Sequence, residues 1–526
     1  MAANLVQLLI KPGIQRDRTK FQGDMCTDGY WVRFDGDVVV KMGGLKAVNE
    51  AYAAINRASN LLLTQNGTPN SLYLYRSDNT GVYRATIGTD FTIGTASVRI
   101  SPAIADGGAN ILWQSVVVIR NGVKTILFLK TLNAAGIAQS NASVLYRQGL
   151  VSAPAAQLEA VVVLPAEATG GMCYSKPYLF IYGNNGYARH SSTADPTNFT
   201  GAGSGDLALP VTDKVIYAAN IRSSTSPSLL FWTLTCVVRS VNVGDAAVAF
   251  KNEVVTSSSS ILSSRCVVEY DGMFFWPGTE RFFNYNGVVS EMDNKTNQNY
   301  FYNNIDMSKR QLVFGLKNQK HGEIWWFYPE KINSADPTIG CTRAIIYNKR
   351  ENCWYDTAIR RDCGYSFDDL GIMVTAGKPL DNAGAFNYVW RHEFTNDTEN
   401  YVPGAGGAAV SNNIFSYFTT PTFSYASPFA PGHPIGAKSQ AIERNVELLC
   451  IEPDFNQTNA TMSLRINTRK YAQSPTVISD PINFAHNTEK IDLRTQGRQM
   501  SLTFGSNQHF EMGTLMLTVG IGDGRA

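Results

Sequence analysis

Residues able to do acid–base, nucleophilic or metal chemistry are present, but their spacing joins none of them into a centre. Six histidines (His190, His321, His392, His433, His486, His509) lie far apart with no paired spacing. Each reads as a surface or hydrogen-bonding residue. Eight cysteines (Cys26, Cys173, Cys236, Cys266, Cys341, Cys353, Cys363, Cys450) show no CxxC or paired metal spacing. Several fall inside apolar runs, where a thiol behaves as a small buried hydrophobe. No Gly-Lys-Ser/Thr phosphate loop, GxSxG elbow, HExxH or EF-hand loop occurs. Asp368 and Asp369 are adjacent, so on a strand they would point to opposite faces; they read as capping a turn. Tyr30–Arg33 and Tyr187–His190 interleave aromatic and basic side chains. Stacking platforms for single strands do so, but half-buried strands edged by Arg and Tyr give the same pattern and are the preferred reading. No catalytic, metal-ligating or cofactor-binding residue is therefore assigned, no cofactor is expected, and the chain reads as a non-enzyme.

The elements that would position any such group are strands. Val267–Met292 reads as strand, Asp271-Gly272 turn, strand, loop, strand, Asn286-Gly287 turn, strand. Asp-Gly or Asn-Gly between apolar runs marks a hairpin, because a type I′ turn needs positive φ at both central positions. Two hairpins in about 26 residues make a four-stranded meander, the size of one β-propeller blade. The same rhythm begins near residue 58. Trp113–Arg120 and Val123–Lys130 flank Asn121-Gly122, Tyr178–Tyr182 and Tyr187–His190 flank Gly183–Gly186, and Leu229–Ser240 reads as one long buried strand. Glu323–Tyr328, Arg343–Tyr347 and Cys353–Asp356 form a further meander, and Asn387–Glu393 ends the series. A recurrence of about 50 residues fits roughly six units, so the fold class is all-β, a six-bladed β-propeller. Two β-sandwiches would give a similar strand density. Propellers can host sialidases, but Ser77-Asp78-Asn79-Thr80-Gly81 has its Asp one place early for their turn and reads as an ordinary one. Helix is scarce: Asp306–Leu312 carries an N-cap Asp, and the Val run in Ala155–Val163 favours a strand.

Four stretches divide the chain. Residues 1–50 form an N-terminal arm and hairpin around Asp35-Gly36-Asp37, too small to stand alone. Residues 51–395 form the propeller. Residues 396–440, rich in Pro, Gly, Ser and aromatics, read as an extended segment. Six aromatics from Phe415 to Phe429 would be costly to leave in water, at roughly 25 cal/mol per Å², so they are expected to pack on the body or a neighbour. Residues 441–526 alternate well and form a C-terminal β module.

Lys plus Arg is 45 and Asp plus Glu is 43. A protein that grips a duplex usually carries a basic excess or stripe, and here the signs are interspersed. The N-terminus lacks the basic region of a secretory signal, and no apolar run approaches the ~20 residues of a membrane helix, so no membrane insertion is expected. The cysteine usage suggests folding in a reducing compartment.

Several of these stretches resemble one family. PGIQRDRTKFQGDMCTDGYWVRFDGDVVVKMGGLKAV, with Asp17, the Asp28–Phe34 run and the Lys41-Met42-Gly43-Gly44 turn, is similar to the start of the tail-nozzle (packaged-DNA stabilisation) proteins of short-tailed bacteriophages. So are Phe275-Trp276 with Tyr285-Asn286-Gly287, followed in that family by a short helix, Ile345-Ile346-Tyr347 leading to Cys353-Trp354-Tyr355, and Leu493–Arg498 before Met500–Phe504. Residues 396–440 have no counterpart. The resemblance implies a six-bladed propeller and a homo-hexameric ring in the virion tail, assembled in the host cytoplasm. It also implies a portal adaptor ring above, tail fibres or spikes outside, a needle or plug at the tip, and transient passage of double-stranded DNA. On this reading Trp31, Arg33, Phe415, Tyr417, Phe418, Phe423, Tyr425 and Phe429 are candidate subunit or partner contacts. The alternative is a carbohydrate-binding or glycan-degrading propeller on the virion surface.

Overall fold

Where a sheet is covered on both faces, its middle strands lose the alternation of a half-exposed strand and become continuous apolar runs. Three strands of this chain do so: Ser228–Thr233, Glu323–Tyr328 and Ile372–Gly377 are buried at every position. In the computed structural model they are central strands of four-stranded antiparallel units packed face to face. The structure describes residues 4–522 except 20–22, 49, 54, 66–67, 69, 103–110, 133–142, 222–226, 245–248, 334–339, 381–385, 404–406, 425–444, 458–460 and 472.

Six consecutive four-stranded antiparallel sheets cover 60–99, 111–163, 171–206, 215–256, 268–291 and 314–361. A further sheet begins with Cys363–Phe367, Ile372–Gly377 and Phe386–His392 and takes its fourth strand, Leu45–Ala47, from the N-terminal arm. The described residues thus give seven sheets where the 50-residue rhythm suggested six. Units such as 171–206 and 268–291 are shorter than 50 residues, and the last is completed from the far end of the sequence. Apolar clusters join each sheet to the next: Tyr75 and Phe128 between the first and second, Leu127 and Ile181, then Phe180 and Phe231, then Trp232 and Phe274. Phe282 with Trp326 and Phe327 with Met373 continue the series, and Leu63 with Val374 brings the seventh sheet back onto the first. The result is a closed, propeller-like wheel. Its cement is aromatic: Trp232 meets Trp276 at 5.5 Å and Phe282 meets Trp354 at 4.8 Å between ring centroids, each contact adding about 0.5–1.5 kcal/mol beyond area burial.

Turn chemistry matches the sequence in most places. Asp271 (φ 51°) with Gly272 (φ 75°), and Asn121 (φ 50°) with Gly122 (φ 80°), take the left-handed conformations of a type I′ hairpin. Asn286-Gly287 belongs to a three-residue loop, since Tyr285 pairs with Val289. Leu229–Ser240 is two strands, Ser228–Thr233 and Val237–Asn242. The hydroxyl of Thr233 accepts from the backbone N–H of Thr235 and Cys236 (3.3 and 3.1 Å), turning the chain inside an apolar run. Asp306 caps Met307–Leu312, which is a 3-10 helix, and the short α-helix is Gln298–Asn304.

Both ends of the chain build the second body. Asn4–Leu8 pairs with Leu515–Ile521, which lies beside Val446–Glu452 and then Ile491–Gly497. A second sheet runs Asp28–Tyr30, Ser416–Thr419, Gln499–Ser506, Thr461–Arg469, Val477–Ile478. A third carries the hairpin Val32–Asp35 with Val38–Lys41, extended by Phe510–Met512 and Phe455–Gln457. The arm is woven into this module. The 396–424 part of the segment read as extended contains three strands: Thr398–Tyr401 and Val410–Asn413 continue the seventh sheet beyond Leu45–Ala47, and Ser416–Thr419 enters the module.

Gly44 sits where Leu45–Ala47 slots between Phe386–His392 and Thr398–Tyr401. A Cβ there would collide with Thr395 Oγ1 and the Thr398 backbone. Gly44→Ala is expected to cost about 1–3 kcal/mol, the usual penalty for overpacking, read as a lower urea midpoint; an unchanged midpoint would mean that this strand does not close the wheel.

Candidate functional site

Much of the described part of Lys11–Gly44 lies in the seam between wheel and module, and the side chains of Arg16, Asp17, Arg33 and Lys41 are spent there. Arg33 comes from the hairpin strand Val32–Asp35. Its guanidinium donates from Nε and Nη2 to the two oxygens of Glu323 (2.7 and 3.3 Å), and from Nη2 and Nη1 to those of Glu393 (2.6 and 3.2 Å). A planar fork matches a carboxylate on each of two edges, which a lysine could not do. Glu323, fully buried at the start of a wheel strand, also accepts from Tyr355 Oη, Trp325 Nε1 and Asn318 Nδ2 (2.7, 2.9 and 3.1 Å). Burial would raise the Glu393 carboxyl, but the charge and hydrogen bonds of Arg33 outweigh it and hold the group at about 2. Glu393 is thus held ionised beside Arg33, and the two carboxylates clamp the guanidinium from two edges.

A second cluster lies further along the seam. Arg16 donates to Asp356 (Nε–Oδ1 2.9 Å) and to Asp28 (2.7 Å), while Arg343 reaches Asp356 from the wheel side (2.8 Å). Both guanidiniums lie 5.4 Å from the centroid of Tyr300. Asp17 accepts from the backbone N–H of Asn299 and Tyr300 (2.8 and 2.7 Å) at the first turn of Gln298–Asn304, where a carboxylate is favoured. Trp31, at φ 58°, takes a conformation bulky residues rarely adopt. Its backbone N–H donates to Thr357 Oγ1 and its indole to Gly43 O (3.2 and 3.1 Å). Lys41 is buried, donating to Asn507 O (2.6 Å) and lying 3.3 Å from Asp397; burial draws its ammonium down to about 8 against the pull of that carboxylate.

The candidate contact residues divide. Trp31 and Arg33 are interior, at 1% and 3% exposure. Phe418 packs on Phe504 (5.5 Å) in the module core, and Phe423 is buried with its backbone paired to Met500. These four are consumed within the chain, so they are not available as outward contacts: an aromatic run demands burial without saying against what. Tyr417 is half-buried, near-parallel to Tyr30 at 6.3 Å. Phe415 stays outward, 49% exposed. Tyr425 and Phe429 lie outside the described residues. The sequence reading missed Glu323, Glu393 and Asp356, whose arginines Arg33 and Arg16 lie 290, 360 and 340 positions away, and Arg343, which joins the cluster through Asp356; for Asp17 the family resemblance was the signal.

The wheel's axis is lined by first strands of successive sheets and holds a cavity of about 460 Å³ bordered by Asn60, Gln114, Asn220 and Arg265. Arg265 donates to the carbonyls of Ser59 and Leu312 (3.0 and 3.2 Å), tying the first sheet to the sixth. Such a space is far too small for a nucleic-acid duplex. Among the described residues no group of three or more His, Cys, Asp or Glu side chains is placed to hold a metal ion, and no helix is long and apolar enough to cross a membrane.

No family model matches the chain, and no curated protein matches it. Among solved structures, the AfRom2 CNH domain is 8% identical, with 66% of this chain and 98% of that one covered, at a TM-score of 0.38. YCF48 bound to a D1 peptide is 10% identical (65% and 94%, TM-score 0.36). An exo-beta-1,3-galactanase from Phanerochaete chrysosporium with beta-1,3-galactotriose is 9% identical (91% and 100%, TM-score 0.26). At such scores the likenesses carry no argument about what the chain does.

Removing one member of a buried ion cluster strands the rest. Arg33→Met is expected to lose about 3–5 kcal/mol in urea unfolding. Glu393, lowered from 4.5 to about 2, stabilises the fold fully above pH 4.5 and loses that contribution as pH falls toward 2. Glu393→Gln, which leaves the Arg33–Glu323 pair, should flatten the stability-versus-pH curve across that window; an acid limb identical to the parent's would refute the assignment.

Proposed function

We propose that the chain is a structural, non-enzymatic subunit of a virion tail: a nozzle segment that retains packaged DNA and conducts it during ejection, six copies forming a ring below the portal adaptor. The observation that supports this is convergence. Several of the stretches through which the sequence resembles the nozzle family lie hundreds of residues apart, yet meet in one seam. Asp17 meets the helix that follows the Phe275–Gly287 hairpins. Phe34 packs on Tyr355, Trp31 donates to Thr357, and Gly43 donates to Glu393. The family implies six blades and the wheel has seven sheets among the described residues, so the reading rests on the seam and not on the blade count.

Physical arguments favour the same role. A conduit must let a duplex slide, and several firm Lys/Arg–phosphate contacts would slow it; 45 basic against 43 acidic residues avoid that. The narrow axis of the wheel means that any duct runs between subunits, with mixed-sign or acidic side chains facing it. A subunit holding pressurised DNA also needs its two bodies coupled without a hinge, which the Arg33 and Arg16 clusters provide.

The test is the mass and symmetry of the full chain, alone and mixed with the portal and adaptor of the same genome, by native mass spectrometry and electron microscopy. A sixfold ring with a duplex-wide passage is expected on the adaptor. A monomer that binds neither protein would sink the proposal.

A further inference from the structure

One sheet of the module presents a face that neither the fold nor the nozzle reading uses. Period-two alternation sends Leu464 and Ile466, and Leu502 and Phe504, into the core. The alternate residues therefore stand in cross-strand rows on the other face: Arg465 opposite Thr503, Asn467 opposite Ser501, Arg469 opposite Gln499. Thr503 lies opposite Thr419 on the next strand. The arm, with Gln15, Arg16 and Arg18, walls this floor together with Tyr300 and encloses a cavity of about 540 Å³, within the size range of small-ligand sites.

Its chemistry is one-sided. Four arginines line it against one carboxylate, Asp28, which Arg16 already engages. Arg18 and Arg465 are exposed and, among the described residues, have no ion-pair partner. The rest of the floor is hydroxyl and amide, partly pre-ordered: Asn467 Nδ2 donates to Thr503 Oγ1 (2.9 Å), and the Thr419 and Thr503 hydroxyls lie 2.9 Å apart. Two amides in the wall, Gln15 through Nε2 and Gln499 through Oε1, are buried with no hydrogen-bond partner, a condition native structures rarely leave without a use.

This lining selects among ligands. The only aliphatic side chains in the lining are Met500, itself fully buried, and Ile478, so a hydrophobic peptide finds no pocket for an anchoring side chain. The two tyrosine rings are engaged, Tyr417 beside Tyr30 and Tyr300 beside Arg16 and Arg343, so no open stacking platform for bases remains. What fits is a polyhydroxylated molecule bearing an anionic oxygen group. We infer that this groove binds an acidic oligosaccharide, its carboxylate or sulfate held by Arg18 and Arg465 and its hydroxyls by the Asn467, Ser501 and Thr503 rows. The inference does not depend on the nozzle reading.

The test uses the full-length chain in calorimetric titrations with a glucuronate-containing tetrasaccharide, a sulfated disaccharide, neutral chitotetraose and a short DNA duplex. One or both acidic sugars should bind and chitotetraose should not, the preferred one distinguishing carboxylate from sulfate. The R18Q/R465Q double variant alters two exposed side chains and should keep its unfolding midpoint, while binding weakens about tenfold or more. Equal affinity for the neutral sugar, no binding of either acidic sugar, or affinity unchanged in the double variant would each overturn the inference. A duplex that binds more tightly and is lost in the same variant would reassign the groove to nucleic acid.

Discussion

A single guanidinium held between two carboxylates fixes how the two bodies of this protein meet. Arg33 belongs to the arm by sequence and to the module by pairing, Glu323 opens a strand of the sixth sheet, and Glu393 follows Phe386–His392 of the seventh. Each partner is desolvated, and removing a charge from water costs several kcal/mol unless geometry returns it. The fork satisfies both edges of the arginine, and Tyr355, Trp325 and Asn318 fill the remaining sites on Glu323. Such an arrangement adds little net stability over a well-packed apolar substitute. What it adds is discrimination: a shifted hairpin would leave two buried carboxylates unpaired, so one relative placement of wheel and module is strongly preferred.

The wheel depends on the same economy of partners. Its central strands are apolar on both faces and its closure is borrowed, since Leu45–Ala47 completes the seventh sheet. Thr398–Tyr401 then runs parallel to that borrowed strand and Val410–Asn413 follows, so the seventh sheet grows past the wheel toward the module. Wheel, arm and module share one apolar cluster, in which Phe314 and Phe327 of the sixth sheet lie with Phe34, Phe418 and Phe504. The division into arm, wheel, linker and module describes the sequence better than it describes the packing.

What the sequence made legible was whatever local geometry forces on residue type. Asp271-Gly272 and Asn121-Gly122 stand out because positive φ excludes most side chains, and the Val run of Pro154–Val163 marked a strand in the same way. Leu229–Ser240 misled because its turn is made by one hydroxyl, on a Thr that composition cannot tell from a strand residue. The seventh sheet was hidden because its fourth strand comes from some 340 positions upstream. The seam was least legible of all: Glu323 and Glu393 lie 290 and 360 positions from Arg33, and nothing in a single sequence marks two glutamates as sharing one arginine. Of the aromatics from Phe415 to Phe423, Phe418 and Phe423 are covered by this chain's own core, while Tyr417 is half-buried and Phe415 stays exposed.

The pairing of Asn4–Leu8 with Leu515–Ile521 sets a timetable for synthesis. Asn4–Leu8 is translated some five hundred residues before its ladder partner. Throughout translation, while the wheel can already close, that early strand and the buried faces of the hairpin behind it wait unpaired. The sheet that strand belongs to is complete only once Leu515–Ile521 has been made.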